Sequence, residues 1–283
     1  DMPPFFMTIV SDVDFWMFVS STGGLTAGRN NPDSALFPYE TDDKIHDGCE
    51  TAGAHSVFIV TANDKQYLWT PFTRHHADVY SISRNLYKSA LGNKIMFEEV
   101  NETLGVTFRY TWKTSQGYGI VKASELTNDT GLDVTVRVLD GIRNILPYGV
   151  DTALQSTRST LVDGYKRSEL IERHGLGLFT LSSIISDKAE PSESLKATTV
   201  WFSGFEPRTY LLSDMQVKVF EKNLPLITEY DVKGRRGAFY VSGEIALKAG
   251  QTTSWVIVSE VNQSAVKVEA LMQELEDKGK LVS

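Results

Sequence analysis

A chain of 283 residues with a formal net charge of −8 and no clustered Lys/Arg block is not built to neutralise phosphates, which excludes a sequence-blind nucleic-acid binder and leaves neutral, polyhydroxylated ligands as the better match. At this length about 70 to 75% of the unfolded surface can be buried without staples, and the lone Cys49 excludes an internal disulfide and reads as an ordinary thiol. No apolar run is long enough for a membrane helix, and Phe5 to Val10 lacks the basic start and long apolar stretch of a leader, so no membrane partner and a cytoplasmic location are expected.

Period-two alternation dominates the chain and predicts a mainly β protein. Strands are expected at Phe15 to Ser20, Ser56 to Thr61, Gln66 to Trp69, Lys94 to Val100 and from Val106, where Val106, Phe108, Tyr110 and Trp112 alternate with Thr107, Arg109, Thr111 and Lys113. Further strands are expected at Gly119 to Leu126, Val134 to Val138, Gly177 to Ser182, Ala197 to Phe202, Phe239 to Leu247 and Thr252 to Val261. Turn chemistry at Asn63-Asp64, Gly92-Asn93, Asn128 to Gly131 and Ala249-Gly250 separates several of them. Ten or more strands exceed what one open sheet carries, so a large antiparallel sandwich of two sheets is predicted. Val150 to Leu161 is a weak helix candidate, rich in Thr and Ser. After Ser264, a plausible N-cap, Val268, Leu271, Met272 and Leu275 mark an amphipathic helix. It either closes the sheet or leads into another domain. The expected division is a sandwich over 1–262 and a terminal helix over 263–283.

The least sandwich-like segment is Gly23 to Asp47, a long loop of the kind that binds, gates or contacts something. Arg29, Asp42, Asp43, His46 and Asp47 supply donors and acceptors for sugar hydroxyls, and Phe37 and Tyr39 supply flat apolar faces. The competing reading is that these groups only cap turns and pair with one another. Of the five tryptophans, Trp69, at a strand end beside Thr70-Pro71, is the one expected to face a groove. Asp42, His46 and Asp47 are possible metal ligands without a metal-motif spacing, and His75-His76 would point to opposite faces of a strand, so no metal is expected. His55 and His174 show no partner in the sequence. Carboxylates such as Glu98-Glu99, Glu190, Glu193, Asp163, Glu169 and Glu172 are too many to single out an acid/base pair. There is no nucleophile elbow, phosphate-binding loop or dinucleotide fingerprint, so no cofactor is expected and no catalytic residue is named.

The order of segments resembles the N-terminal region of cellobiose and chitobiose phosphorylases. Phe18 to Asn31, Leu36-Phe37-Pro38-Tyr39 with Asp42-Asp43 and Asp47, then Tyr67-Leu68-Trp69-Thr70-Pro71 follow that family's hairpin, its Thr-Pro-Trp and Asn-Asp-Pro segment and its Trp-Ser-Pro segment. Leu126-Thr127-Asn128, the strand from Val134 to Leu139 and Asn144-Ile145-Leu146 are similar to the next two strands. The chain departs from the pattern where Thr-Pro-Trp becomes Phe37-Pro38-Tyr39 and Asn-Asp-Pro becomes Asp42-Asp43-Lys44. The resemblance implies a galactose-mutarotase-like supersandwich. In that family the sandwich precedes linker helices and an (α/α) toroid that holds most of the chemistry. The expected role is therefore a noncatalytic, carbohydrate-associated domain that shapes an active-site entrance or a dimer interface, with the absent toroid, an oligosaccharide and a second copy as partners. Two alternatives remain: a stand-alone aldose-epimerase-type enzyme, which requires His46, or His75 and His76, to share a pocket with an acid, and a purely structural module, which an exposed aromatic platform would argue against.

Overall fold

The computed structural model describes residues 3–62, 65–73, 78–157, 159–183 and 196–282. Among the described residues, three antiparallel sheets are present. The smallest joins β1 (Phe6–Thr8), β2 (Phe15–Ser20) and β3 (Leu25–Arg29) in that order. A five-stranded sheet has the order β14-β16-β10-β4-β5, formed by β14 (Thr209–Leu211), β16 (Gly237–Leu247), β10 (Val134–Ile145), β4 (Gly53–Ala62) and β5 (Lys65–Trp69). The nine-stranded sheet has the order β15-β11-β12-β13-β17-β9-β8-β7-β6. Its strands are β15 (Asp231–Lys233), β11 (Lys166–Ile171), β12 (Leu176–Leu181), β13 (Lys196–Ser203), β17 (Thr252–Ser264), β9 (Gly119–Asn128), β8 (Val106–Ser115), β7 (Lys94–Asn101) and β6 (Ile82–Lys88).

The two larger sheets pack face to face through the inward set of each alternating strand. Phe108 and Trp112 of β8 meet Phe58 of β4 and Phe37 in edge-on ring contacts, with centroids 4.9 Å apart for Phe58–Phe108 and 5.9 Å for Phe37–Trp112. The large antiparallel sandwich expected from the sequence is therefore present. A polar cluster interrupts its apolar core. Asp140 of β10 and Lys122 of β9, both without exposed surface, form an ion pair at 2.5 Å, and Ser56, Ser124 and the Trp255 indole donate to the same carboxylate. Burial lowers the Lys122 pKa against the pull of Asp140.

The outer faces are covered by helices. Val217 and Phe220 of α4 (Val217–Glu221) pack on Val57, Ile59, Leu139 and Tyr240 of the five-stranded sheet. On the other side, Val268, Leu271, Met272 and Leu275 of α5 (Ala265–Val282) lie on Leu176, Trp201 and Val258. This spacing of three and four residues is a single helical stripe, and it docks on the nine-stranded sheet. No helix among the described residues is long and apolar enough to cross a membrane.

The segment Gly23 to Asp47 is more structured than a loop. It contains β3, a 3-10 turn at Pro32–Ser34, α1 (Asp42–Ile45) and the start of a second 3-10 turn at Asp47–Glu50. Two further short helices, α2 (Thr152–Thr157) and α3 (Ser159–Tyr165), occupy the weak helical stretch. The Asn63-Asp64 turn, His75-His76 and Glu190 to Glu193 lie outside the described residues.

Candidate functional site

The outer face of the five-stranded sheet holds a cavity of about 450 Å³, within the usual range for small-ligand sites. Its floor is a cross-strand row. His55 of β4 and Tyr240 of β16 both pair with Gly141 of the intervening β10. A side chain at Gly141 would place its Cβ 2.3 Å from the Tyr240 ring and 2.4 Å from the Phe239 carbonyl. Glycine keeps this gap open, and His55 Nδ1 and Tyr240 Oη meet across it at 2.9 Å. Burial first, then the cations Arg143, Lys122 and Lys218, hold the His55 pKa well below its ordinary value. The imidazole is neutral at neutral pH. Burial likewise pushes the Tyr240 phenol up, so it keeps its proton.

Arg143, two residues along β10 on the same face, also lines the cavity. It donates through Nη2 to the Cys49 carbonyl at 3.2 Å, and its buried Nε has no hydrogen-bond partner among the described residues. Glu50, Asp214 and Glu221 add carboxylates to the lining. Of these, Glu221 is paired to Lys218.

One wall of the cavity is the turn Thr70 to Thr73. Phe72 has φ +64°, a left-handed conformation that is costly for a bulky side chain. The fully buried Glu99 carboxylate holds it there, accepting from the Phe72 N–H at 2.5 Å, the Trp69 indole at 2.7 Å and Arg84 Nε at 2.8 Å. The Phe72 ring in turn stands edge-on to Tyr110, centroids 5.2 Å apart, at the cavity margin.

The residues expected from the sequence are not brought together at one site. Arg29 is consumed by structure, with its guanidinium on Asp14 and Glu260 and over the Phe15 ring. His46 binds Ser20 Oγ at 2.6 Å and stacks on Phe6, and only its carbonyl touches the cavity lining, accepting from Thr22 Oγ1 at 3.2 Å. Asp47 is exposed at the start of a 3-10 turn, and Asp42 and Asp43 open α1, with side chains outside what is described. Trp69 corrects the expectation of a groove-facing indole: it has no exposed surface, packs on Phe58 and donates to Glu99. Phe37 is buried as well. Tyr39 alone is placed by an open site, 41% exposed at the mouth of a second cavity of about 940 Å³ formed with α2, α3 and the end of β10.

His55, Arg143 and Tyr240 escaped the sequence reading. Each sits at an outward position of its strand, and only the register of β4, β10 and β16 brings His55 and Tyr240 into one row through Gly141, with Arg143 two residues along on the same face.

No family model and no curated protein matches the chain. Among solved structures, a polysaccharide lyase is similar at a TM-score of 0.51 and 11% identity, over 97% of this chain and 34% of the lyase. The likeness is one of fold. A GalM/aldose epimerase homologue from C. elegans aligns over 93% of this chain and 100% of its own length, at a TM-score of 0.48 and 10% identity. A galactose mutarotase-like protein from Lactobacillus casei ATCC 334 gives 0.40 and 12%, over 91% of this chain and 100% of its own. The chain thus spans about a third of the length of the lyase.

Proposed function

We propose that this chain is a sugar-binding sandwich domain of a larger carbohydrate-active enzyme, and that the cavity over the five-stranded sheet is its sugar face. The observation that carries this reading is the make-up of that cavity. The half-buried Phe72 ring stands beside the His55–Tyr240 pair, the Arg143 Nε, which has no partner among the described residues, and three carboxylates. Flat apolar surface next to convergent donors and acceptors is what a pyranose requires, since one face of the ring is C–H and its rim is hydroxyl. In the phosphorylase-type arrangement that the sequence resembles, a helical (α/α) toroid would carry the reaction and the sandwich would shape its entrance.

A second reading is favoured by one specific feature. A neutral imidazole hydrogen-bonded to a protonated phenol, in a cavity with Glu50, Asp214 and Glu221, is a set from which a general base and a general acid can be drawn. This would make the chain an aldose-epimerase-type enzyme that opens and recloses a sugar ring. Here the histidine is His55.

Titrating the isotope-labelled chain with glucose, galactose and cellobiose, while following anomer exchange of the two monosaccharides by NMR, tests both. Binding that His55→Ala and Arg143→Ala abolish, with anomers exchanging at the buffer rate, supports the sugar-binding domain. Exchange accelerated by the chain and lost in His55→Ala supports the epimerase. If no sugar perturbs the resonances of the cavity residues, both readings fall.

A further inference from the structure

We infer that the chain carries a second glycan site, distinct from the His55 cavity: an aromatic platform formed by Phe18, Trp16 and Tyr39 that leads into the larger cavity. The inference rests on the carbohydrate-directed reading above. Its geometry is independent of it.

Trp16 and Phe18 occupy alternate positions of β2, on the face of the small sheet opposite Phe15, Met17 and Val19, with Trp16 half-buried against the side cluster of Ala35, Leu146 and Val150 and Phe18 open. Their rings are 6.3 Å apart, and Trp16 is 5.8 Å from Tyr39 in an edge-on contact. Phe18 is 40% exposed and Tyr39 41%. Two open rings flanking a half-buried indole form exposed aromatic area that is ordinarily buried against a neighbour.

The platform is also fixed in place. The Trp16 indole donates to the Asn31 carbonyl at 3.3 Å and lies over Gly28, where a Cβ would come within 2.7 Å of the ring. The Tyr39 backbone N–H donates to Gln155 Oε1 at 3.0 Å, which ties this ring to α2. Rings held before a ligand arrives lose little entropy on binding.

The surroundings point to a sugar chain as the occupant. Tyr39 is shared between the platform and the cavity of about 940 Å³. Inside it, Glu40, Lys44 and the Asn144 amide line the wall and make no side-chain hydrogen bond to the described residues. An apolar protein surface seated on the rings would cover these groups without pairing them, at a desolvation cost. A glycan satisfies both halves, its C–H faces on the rings and its hydroxyls on the carboxylate, ammonium and amide. The size of the cavity calls for several sugar units, so the ligand class is a neutral oligosaccharide.

The tryptophans supply the readout. Trp69, Trp112, Trp201 and Trp255 are 0 to 7% exposed, so Trp16 is the indole that a surface ligand can reach. Cellohexaose and maltohexaose, titrated separately into the full chain, are expected to shift the emission saturably with at least one of the two. Tyr39→Ala and Phe18→Ser should each weaken that binding about tenfold or more, whereas His55→Ala should leave it unchanged. Circular dichroism of each variant confirms folding, and Trp16→Phe identifies the reporter. The inference is overturned if neither oligosaccharide shifts the emission, or if the shift persists in both platform variants. It is equally overturned if sedimentation shows a dimer that Phe18→Ser disperses, because a second copy would then cover the rings. Monosaccharide binding at the His55 cavity is read separately by NMR, so failure of the platform is distinguishable from failure of the first reading.

Discussion

Tyr240 reaches His55 over the bare backbone of Gly141, so the two polar side chains of the cavity floor meet across a strand that separates their own. The pairing depends on the absence of a methyl group. Gly141→Ala is expected to displace the Tyr240 ring, cost about 1–3 kcal/mol of stability as an overpacking substitution and separate phenol from imidazole. Tyr240→Phe removes the same hydrogen bond without the clash. Urea denaturation of the two variants should therefore show a larger loss for Gly141→Ala, and sugar titration should show impaired binding in both.

His55 gives the chain an acid-sensitive element. Its folded pKa lies well below the ordinary histidine value, so between the two values the unfolded chain binds the proton and the folded one does not. Stability then rises with pH across that window. As pH falls from about 6.5, the stability present at neutral pH is lost progressively until the folded pKa is passed. His55→Gln should flatten this part of the profile. Thermal melts of both proteins between pH 7 and pH 5 check it, with an unchanged slope as the contrary result.

The buried Lys122–Asp140 pair predicts unequal losses. Asp140→Ala strands an ammonium and removes the acceptor of Ser56, Ser124 and Trp255, so a cost of about 3–5 kcal/mol is expected. Lys122→Met leaves the carboxylate with three neutral donors and should cost less. Chemical denaturation of the two single variants ranks them, and equal losses would count against the network.

Glu99 holds the wall of the cavity at a distance from it. Glu99→Gln presents an amide donor where Phe72 N–H and Arg84 need an acceptor, and a loss of at least about 1.5–3 kcal/mol follows from the charged hydrogen bonds removed. With Phe72 released from its left-handed conformation, affinity at the cavity should fall as well. An affinity unchanged in a folded Glu99→Gln variant would show that the wall does not depend on this carboxylate.

The alternation in β8 was legible because it records a simple choice between core and solvent at each position. Val106, Phe108, Tyr110 and Trp112 do face inward. Edge strands such as β6 and β15 were not legible, because they bury little and carry a weak pattern. The candidate site was less accessible still. Its chemistry depends on which residue of β10 lies between His55 and Tyr240, and register is a long-range property that no local motif encodes. Trp69 illustrates the opposite error. Turn residues beside it suggested exposure, but Glu99, thirty positions away, supplies the partner that allows its indole to be buried.

The position of β17 bears on how the molecule is made. It lies between β13 and β9 in the nine-stranded sheet, yet it is the last of all the described strands along the chain. During synthesis the β6–β9 meander and the β11–β13 group must therefore wait as two separate pieces, each with an unpaired edge open to unwanted association. The ribosome must deliver residues 252–264 before those edges close, which makes assembly a late, long-range event and places the chain among slowly folding topologies.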